Sequence, residues 1–312
     1  MFCTLVPPHP NAPSPPPPSA YLYLAQLSDD DPQAALTHYQ TAIDILQSQL
    51  KGKSVPAGTN ITDKDVSDDD EVKSNIIHAY LGMVETWMDP AHDLCFDPSA
   101  SSTCDALLSR ALEIDPRNLE TLQTLASVRL SQEKPDEAVQ ALRAFPSPDD
   151  VATDPQAHTA SLLNALPVPT RIARAKLLLE CSAYSDALSV LEGVLATDDT
   201  NVEGWYLMGW AWWLVAERKK EGDTSAIQGL GDDSENLEWQ DMARDSRDCL
   251  ETCRMLYSAQ AFPDEPLLEH VQELIMTLEG LGIQPSPADE EGGEMWENIS
   301  DGDDRDDDIE MS

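Results

Sequence analysis

Basic residues are scarce in this chain. Nineteen Lys and Arg stand against 58 Asp and Glu, a formal net charge of −39. A chain this short of cations repels phosphates, which excludes direct nucleic-acid binding. So large an excess of acid either serves solubility or holds something basic. Long apolar runs are missing as well: none approaches the roughly 20 residues needed to span a bilayer, so no membrane segment is expected. The opening "MFCTLVPPHPNAPSPPPP" has neither a basic n-region nor a proper apolar h-region, and so gives no secretory signal. The six cysteines, Cys3, Cys95, Cys104, Cys181, Cys249 and Cys253, then read as reduced intracellular thiols.

Chemical motifs are also wanting. Cys249 with Cys253, and His92 with Cys95, do not belong to a four-ligand zinc spacing, so core packing is their better reading. There is no phosphate-binding glycine loop, no G-x-S-x-G and no H-E-x-x-H. His38, His78 and His270 fall on helices without an obvious acidic or nucleophilic companion. Neither enzymatic activity nor a metal or cofactor is expected. Strand signals are almost absent, because apolar residues do not alternate with period two; Leu, Ala, Glu and Arg recur instead with helical spacing. The expected fold class is all-α.

Composition divides the chain. Residues 1–19 form a proline-rich leader expected to be disordered and prone to polyproline geometry. Residues 20–50 read as a first helical hairpin, a partial repeat. Residues 51–72 ("KGKSVPAGTNITDKDVSDDDEV") read as an acidic linker. Residues 73–283 carry the helical repeats, with an insertion near 217–238. Residues 284–312 form an acidic tail, in which 288–312 hold twelve acids and one base; that composition predicts disorder. Ser67 before "DDDE" and Ser300 before "DGDD" match, weakly, the acidic context that some kinases favour.

The helices come in pairs, and the pairs repeat. A tetratricopeptide repeat needs small residues where its two helices approach and large ones to fill the gaps between them. Leu108 and Ala111 fit a second helix closed by Pro116. Leu122, Leu125 and Ala126 fit the next first helix, and Ala138 and Leu142 its partner. Ala187, Leu191 and Val194 fit another second helix. Ala35, Tyr39 and Ala42 do so near the N-terminus, and residues 74–88 fit a first helix. In "NVEGWYLMGWAWWLV" (201–215), Trp205, Met208, Gly209 and Trp212 take the packing positions. A second helix resumes at 239–257, and a helix at 265–281 caps the array. Together these predict a tetratricopeptide-repeat superhelical solenoid.

In such a solenoid the first helices line the concave face, and positions not used in packing are free for a ligand. In this register they are Glu120, Gln123, Ser127 and Leu130; Ile172, Lys176 and Leu179; and Glu203, Tyr206, Trp210 and Trp213. Acids mixed with aromatics suit a basic, partly apolar segment; alternatively, Trp210 and Trp213 pack on the insertion or the capping helix. The cationic clamp that holds acidic chaperone tails is not there, Lys176 excepted.

The stretches "NLETLQTLASVRLSQEKPDEA" and "RAKLLLECSAYSDALSVLEGVLATDDTNVEGWYLMGWAWWL", with the acidic tail, resemble the fungal and plant proteins that chaperone large-subunit ribosomal protein four. The resemblance covers roughly 74–281 plus the tail. The leader before Tyr21 is unlike the start of that family, and the first helix of the first hairpin reads as short or missing. The resemblance implies a dedicated chaperone that captures the newly made basic protein, shields it, and accompanies it from cytoplasm to nucleus for pre-60S assembly. It also implies a monomer with 1:1 cargo, and contact with nuclear import or pre-60S factors. The alternatives from the residues alone are a general repeat scaffold in a multiprotein complex and an acidic histone chaperone.

Overall fold

A computed structural model describes residues 5–7, 9, 12–14, 16–28, 30–52, 63–144, 161–223 and 238–286. Among the described residues the regular structure is helical, with no strand. The acidic tail with Ser300, most of the expected insertion, and much of the leader lie outside them. The chain divides into two compact units, Met1–Asp199 and Thr200–Ser312.

The first unit is built of hairpins. Helices α1 (Pro18–Gln26) and α2 (Pro32–Gly52) pack together, and α2 packs on α3 (Asp63–Met88), which pairs with α4 (Ala100–Ile114). Helix α5 (Leu119–Ser131) pairs with α6 (Pro135–Arg143), and α7 (Val168–Glu180) with α8 (Tyr184–Thr197). The first helix of the first hairpin is therefore present, though it has only nine residues. The stretch 51–72, expected as linker, is helical up to Gly52 and again from Asp63.

Packing follows the repeat register. Ala35, Tyr39 and Ala42 on α2, Ala111 on α4, Ala126 on α5, Ala138 on α6 and Ala187 on α8 are all buried. Small residues at these places let helix axes close in while Ile43, Leu46, Ile76, Leu108, Leu142 and Leu191 fill the space between. Each fully buried Leu or Ile contributes about 1.5–3 kcal/mol. Helix starts are written locally: Asn118 accepts from Thr121 N at 2.9 Å at the start of α5. The α5–α6 and α7–α8 turns close with Glu133 at φ 59° and Ser182 at φ 57°. There the Lys134 and Ala183 amides reach back to Arg129 and Leu178 carbonyls, both at 2.9 Å.

The second unit holds α9 (Val202–Lys220), α10 (Trp239–Gln260) and α11 (Glu265–Gly280). Asn201 caps α9 by accepting from Gly204 N at 2.8 Å, as Asn118 does in the first unit. Gly209 is where α10 presses on α9. A Cβ there would stand 2.8 Å from Leu250 Cγ and 3.2 Å from the Ser246 carbonyl oxygen. Ser246 Oγ uses the closeness to donate to the Gly209 carbonyl at 2.7 Å. The expectation for Gly209 as the small residue of the hairpin holds for this physical reason.

Candidate functional site

In the first unit, α3, α5 and α7 are the first helices of three hairpins. They border a cleft of about 540 Å3 lined by Tyr39, His78, Glu85, Glu120, Gln123 and Thr170, among others. On α3, His78, Gly82 and Glu85 recur at three- and four-residue spacing and so share one face. Gly82 is required there: a Cβ would stand 2.5 Å from Tyr39 Cζ, so its absence lets the Tyr39 ring lie against α3. A second hollow, about 240 Å3, shares Tyr39, Gly82 and Glu85 and runs on to Asp89 and His92.

The cleft is electrostatically unsettled. The Glu85 carboxyl is held above the usual carboxylate range, first by burial and then by the negative charge of Glu120. His78 Nε2 lies 3.1 Å from Glu120 Oε2, so His78 does have an acidic companion. The sequence hides that pair because the two residues sit on different hairpins. Gln123, only 9% exposed, donates through Nε2 to the Thr170 carbonyl at 3.4 Å, while its Oε1 meets no donor. One cleft thus gathers two carboxylates, Glu85 and the His78-paired Glu120, and an amide oxygen without a donor.

Glu120 and Gln123 were expected on a ligand face, and both line this cleft. Ser127 and Lys176 are exposed, and Leu130 is half-buried. Ile172 and Leu179 depart from expectation: each is 4% exposed and belongs to the interior. They flank the stripe of Arg171, Ala175 and Leu178 that faces into the unit. Arg171, 1% exposed, donates to Asn164 Oδ1, the Gly193 carbonyl and Thr197 Oγ1. It thereby sits at the C-terminal end of α8, where helix dipoles favour a cation. Sequence reasoning missed Glu85, His78 and Tyr39. The register around Gly82, carried along α3, was the signal that points to His78 and Glu85.

In the second unit the aromatic stretch divides differently from expectation. Trp213 is 8% exposed and borders a small hollow of about 170 Å3 with Ala216, Lys220, Trp239, Thr277 and Leu281. It lies one turn beyond Gly209 and three residues before Ala216, on the stripe that α10 and α11 cover, so it is not a groove residue. Trp205 and Trp212, assigned to packing, are only half-buried. Tyr206 and Trp210 stack at 6.1 Å between ring centroids, and both meet the ring of His270 edge-on. The Tyr206 hydroxyl is 2.8 Å from His270 Nδ1. Burial first, then the charges of Asp264, Cys253 and Glu203, push the Tyr206 phenol above its ordinary pKa. His270 therefore has partners, and Tyr206 and Trp210 are engaged by α11. Glu203 stands half-buried near Tyr206.

Among the described residues no cluster of three or more His, Cys, Asp or Glu could hold a metal ion. Burial pushes the Cys249 and Cys253 thiols up to about 12, which makes them packing residues rather than ligands or nucleophiles. No helix among the described residues is long and apolar enough to cross a membrane.

No family model matches the chain. Two curated proteins do. A probable assembly chaperone of rpl4 from Schizosaccharomyces pombe is 32% identical over 289 residues, which is 92% of this chain and 76% of the relative. A probable assembly chaperone of rpl4 from Emericella nidulans is 34% identical over 217 residues, covering 65% of this chain and 53% of the relative. Among solved structures, the assembly chaperone of RpL4 (Acl4), residues 1–338, is 29% identical with a TM-score of 0.50, over 66% of this chain and 70% of that one. The hairpin architecture with its acidic first-helix face, and identity over nearly the whole chain, agree: this chain belongs to the family of assembly chaperones of rpl4.

Proposed function

We propose that this chain is a dedicated chaperone of large-subunit ribosomal protein four. It binds the newly made protein through basic segments and shields them until the pre-60S particle takes them. The open acidic cleft between α3, α5 and α7 carries this reading. Glu85 is partly desolvated and repelled by Glu120, so a Lys or Arg entering the cleft relieves repulsion as well as forming new contacts. The net charge of −39 adds a long-range pull that speeds encounter. Ribosomal RNA, a denser field of phosphate, then competes for the same cations.

The function is binding alone, with no chemical step, and one chain holds one cargo molecule. Tyr206, Trp210 and Glu203 offer a second, smaller contact area, since α11 leaves them half-exposed. Lys176 and Ser127 are rim residues. The chaperone works in cytoplasm and nucleus, where its cargo is made and assembled, and meets import or pre-60S factors during transfer. The general-scaffold and histone-chaperone alternatives are not favoured.

Co-expression with rpl4 tests this. The expected result is a soluble 1:1 complex whose affinity falls steeply with added salt. Failure to enrich rpl4 from cells or to keep it soluble on co-expression would overturn the reading.

A further inference from the structure

The geometry points to an arginine-reading pocket in the first unit, in which Glu85, Glu120 and the buried amide oxygen of Gln123 together receive one guanidinium of the cargo. This rests on the reading above and goes beyond it by naming the side chain read and the three groups that read it.

An acidic cluster by itself attracts any cation. Here a second feature sets the chemistry. Gln123 lines the cleft and is nine-tenths buried; its Nε2 is turned toward the Thr170 carbonyl, and its Oε1, covered by protein, is left without a donor. A buried carbonyl with no partner is costly, and a donor brought in by a ligand removes that cost. Glu120 and Gln123 stand three residues apart on α5, on one helix face, while Glu85 stands on α3 across the cleft. The three acceptors thus approach from two sides.

A guanidinium fits this arrangement better than an ammonium. It carries five N–H donors in one plane, so one edge can serve the Glu85 carboxylate while the remaining donors serve α5. Lysine carries its three donors on a single tetrahedral nitrogen and holds its water more tightly. The ring of Tyr39, set against Gly82, gives the pocket a flat wall along which a planar group can slide. His78 takes one oxygen of Glu120 and leaves the other for the ligand.

Two labelled peptides test the pocket, identical Gly-Ser chains with three arginines in one and three lysines in the other. Their binding to the full chain is measured by fluorescence anisotropy at about 0.15 M salt, where long-range attraction is screened. The arginine peptide is expected to bind about fivefold tighter, as for one additional charge-assisted hydrogen bond. Gln123→Met and Glu85→Gln should each shrink that preference to less than about twofold in chains that stay folded by circular dichroism, whereas Glu192→Gln on α8 should leave it intact. If Gln123→Met does not fold, Glu85→Gln decides. Equal binding of the two peptides to the wild-type chain overturns the pocket, as does an undiminished preference in well-folded Glu85→Gln. Complex formation with rpl4, measured in parallel, separates the two claims. Equal peptide binding with rpl4 binding intact breaks only the pocket. Arginine preference without rpl4 binding breaks only the proposed cargo.

Discussion

The two units apply one repeat logic and end with opposite surfaces. In the first, the first-helix face of α3, α5 and α7 stays open, and polar side chains border it: His78, Glu85, Glu120 and Gln123. In the second, the first helix α9 carries four tryptophans within nine positions, yet α11 uses much of that face. His270 takes Tyr206 and Trp210, and Trp213 is buried. Buried cations show the same contrast. Arg171 of the first unit is held by neutral acceptors at a helix end. Arg247 of the second bridges α10 to α11 through the Ile275 carbonyl and Glu279, with Glu251 on its own helix. An aromatic-rich helix thus ends as the base for a cap, while a plainer acidic face borders an open cleft.

The comparison breaks most visibly at Trp213. Trp213→Ala should cost about 3–5 kcal/mol in urea denaturation, as for any buried large aromatic. Trp210→Ala should cost about 1 kcal/mol, the worth of its ring contacts. Equal losses would erase the division between interior and surface aromatics. Arg247→Met comes next, at about 2–3 kcal/mol. That is below the cost of breaking a fully buried pair because Glu279 is more than half exposed. The loss should appear as a lower midpoint for the second unit, with the first unit unaffected.

Glu85 sharpens the other side. Its folded pKa is raised, so its ionised form is disfavoured in the native state. Stability should therefore fall as pH rises from the ordinary 4.5 through the raised value. Glu85→Gln should remove that fall and be the more stable protein at neutral pH, while binding rpl4 about fivefold more weakly. Acidification should weaken binding in the wild type as Glu85 is neutralised. The part lost in Glu85→Gln isolates the carboxylate. The smallest effects lie in the turns. Glu133→Gly, Ser182→Gly and Ala261→Gly each relieve a left-handed backbone and should add about 0.5–1 kcal/mol in thermal melts.

Local information in the sequence determined the helices, their pairing and the repeat register. Ala42, Ala111, Ala126 and Gly209 are buried where the register needs small residues, and Asn118 and Asn201 cap equivalent first helices. These follow from spacing along the chain, because helical periodicity fixes which residues share a face. The acid excess likewise narrowed the reading to solubility or a basic partner, since charge is additive and needs no fold. Which face remains open was decided by tertiary structure. Glu85 and Glu120 meet only because α3 and α5 stand side by side, and Trp213 is interior only because α10 and α11 close over it. Such meetings depend on how packed helices are rotated against one another, and the chain spreads that information over residues far apart in sequence.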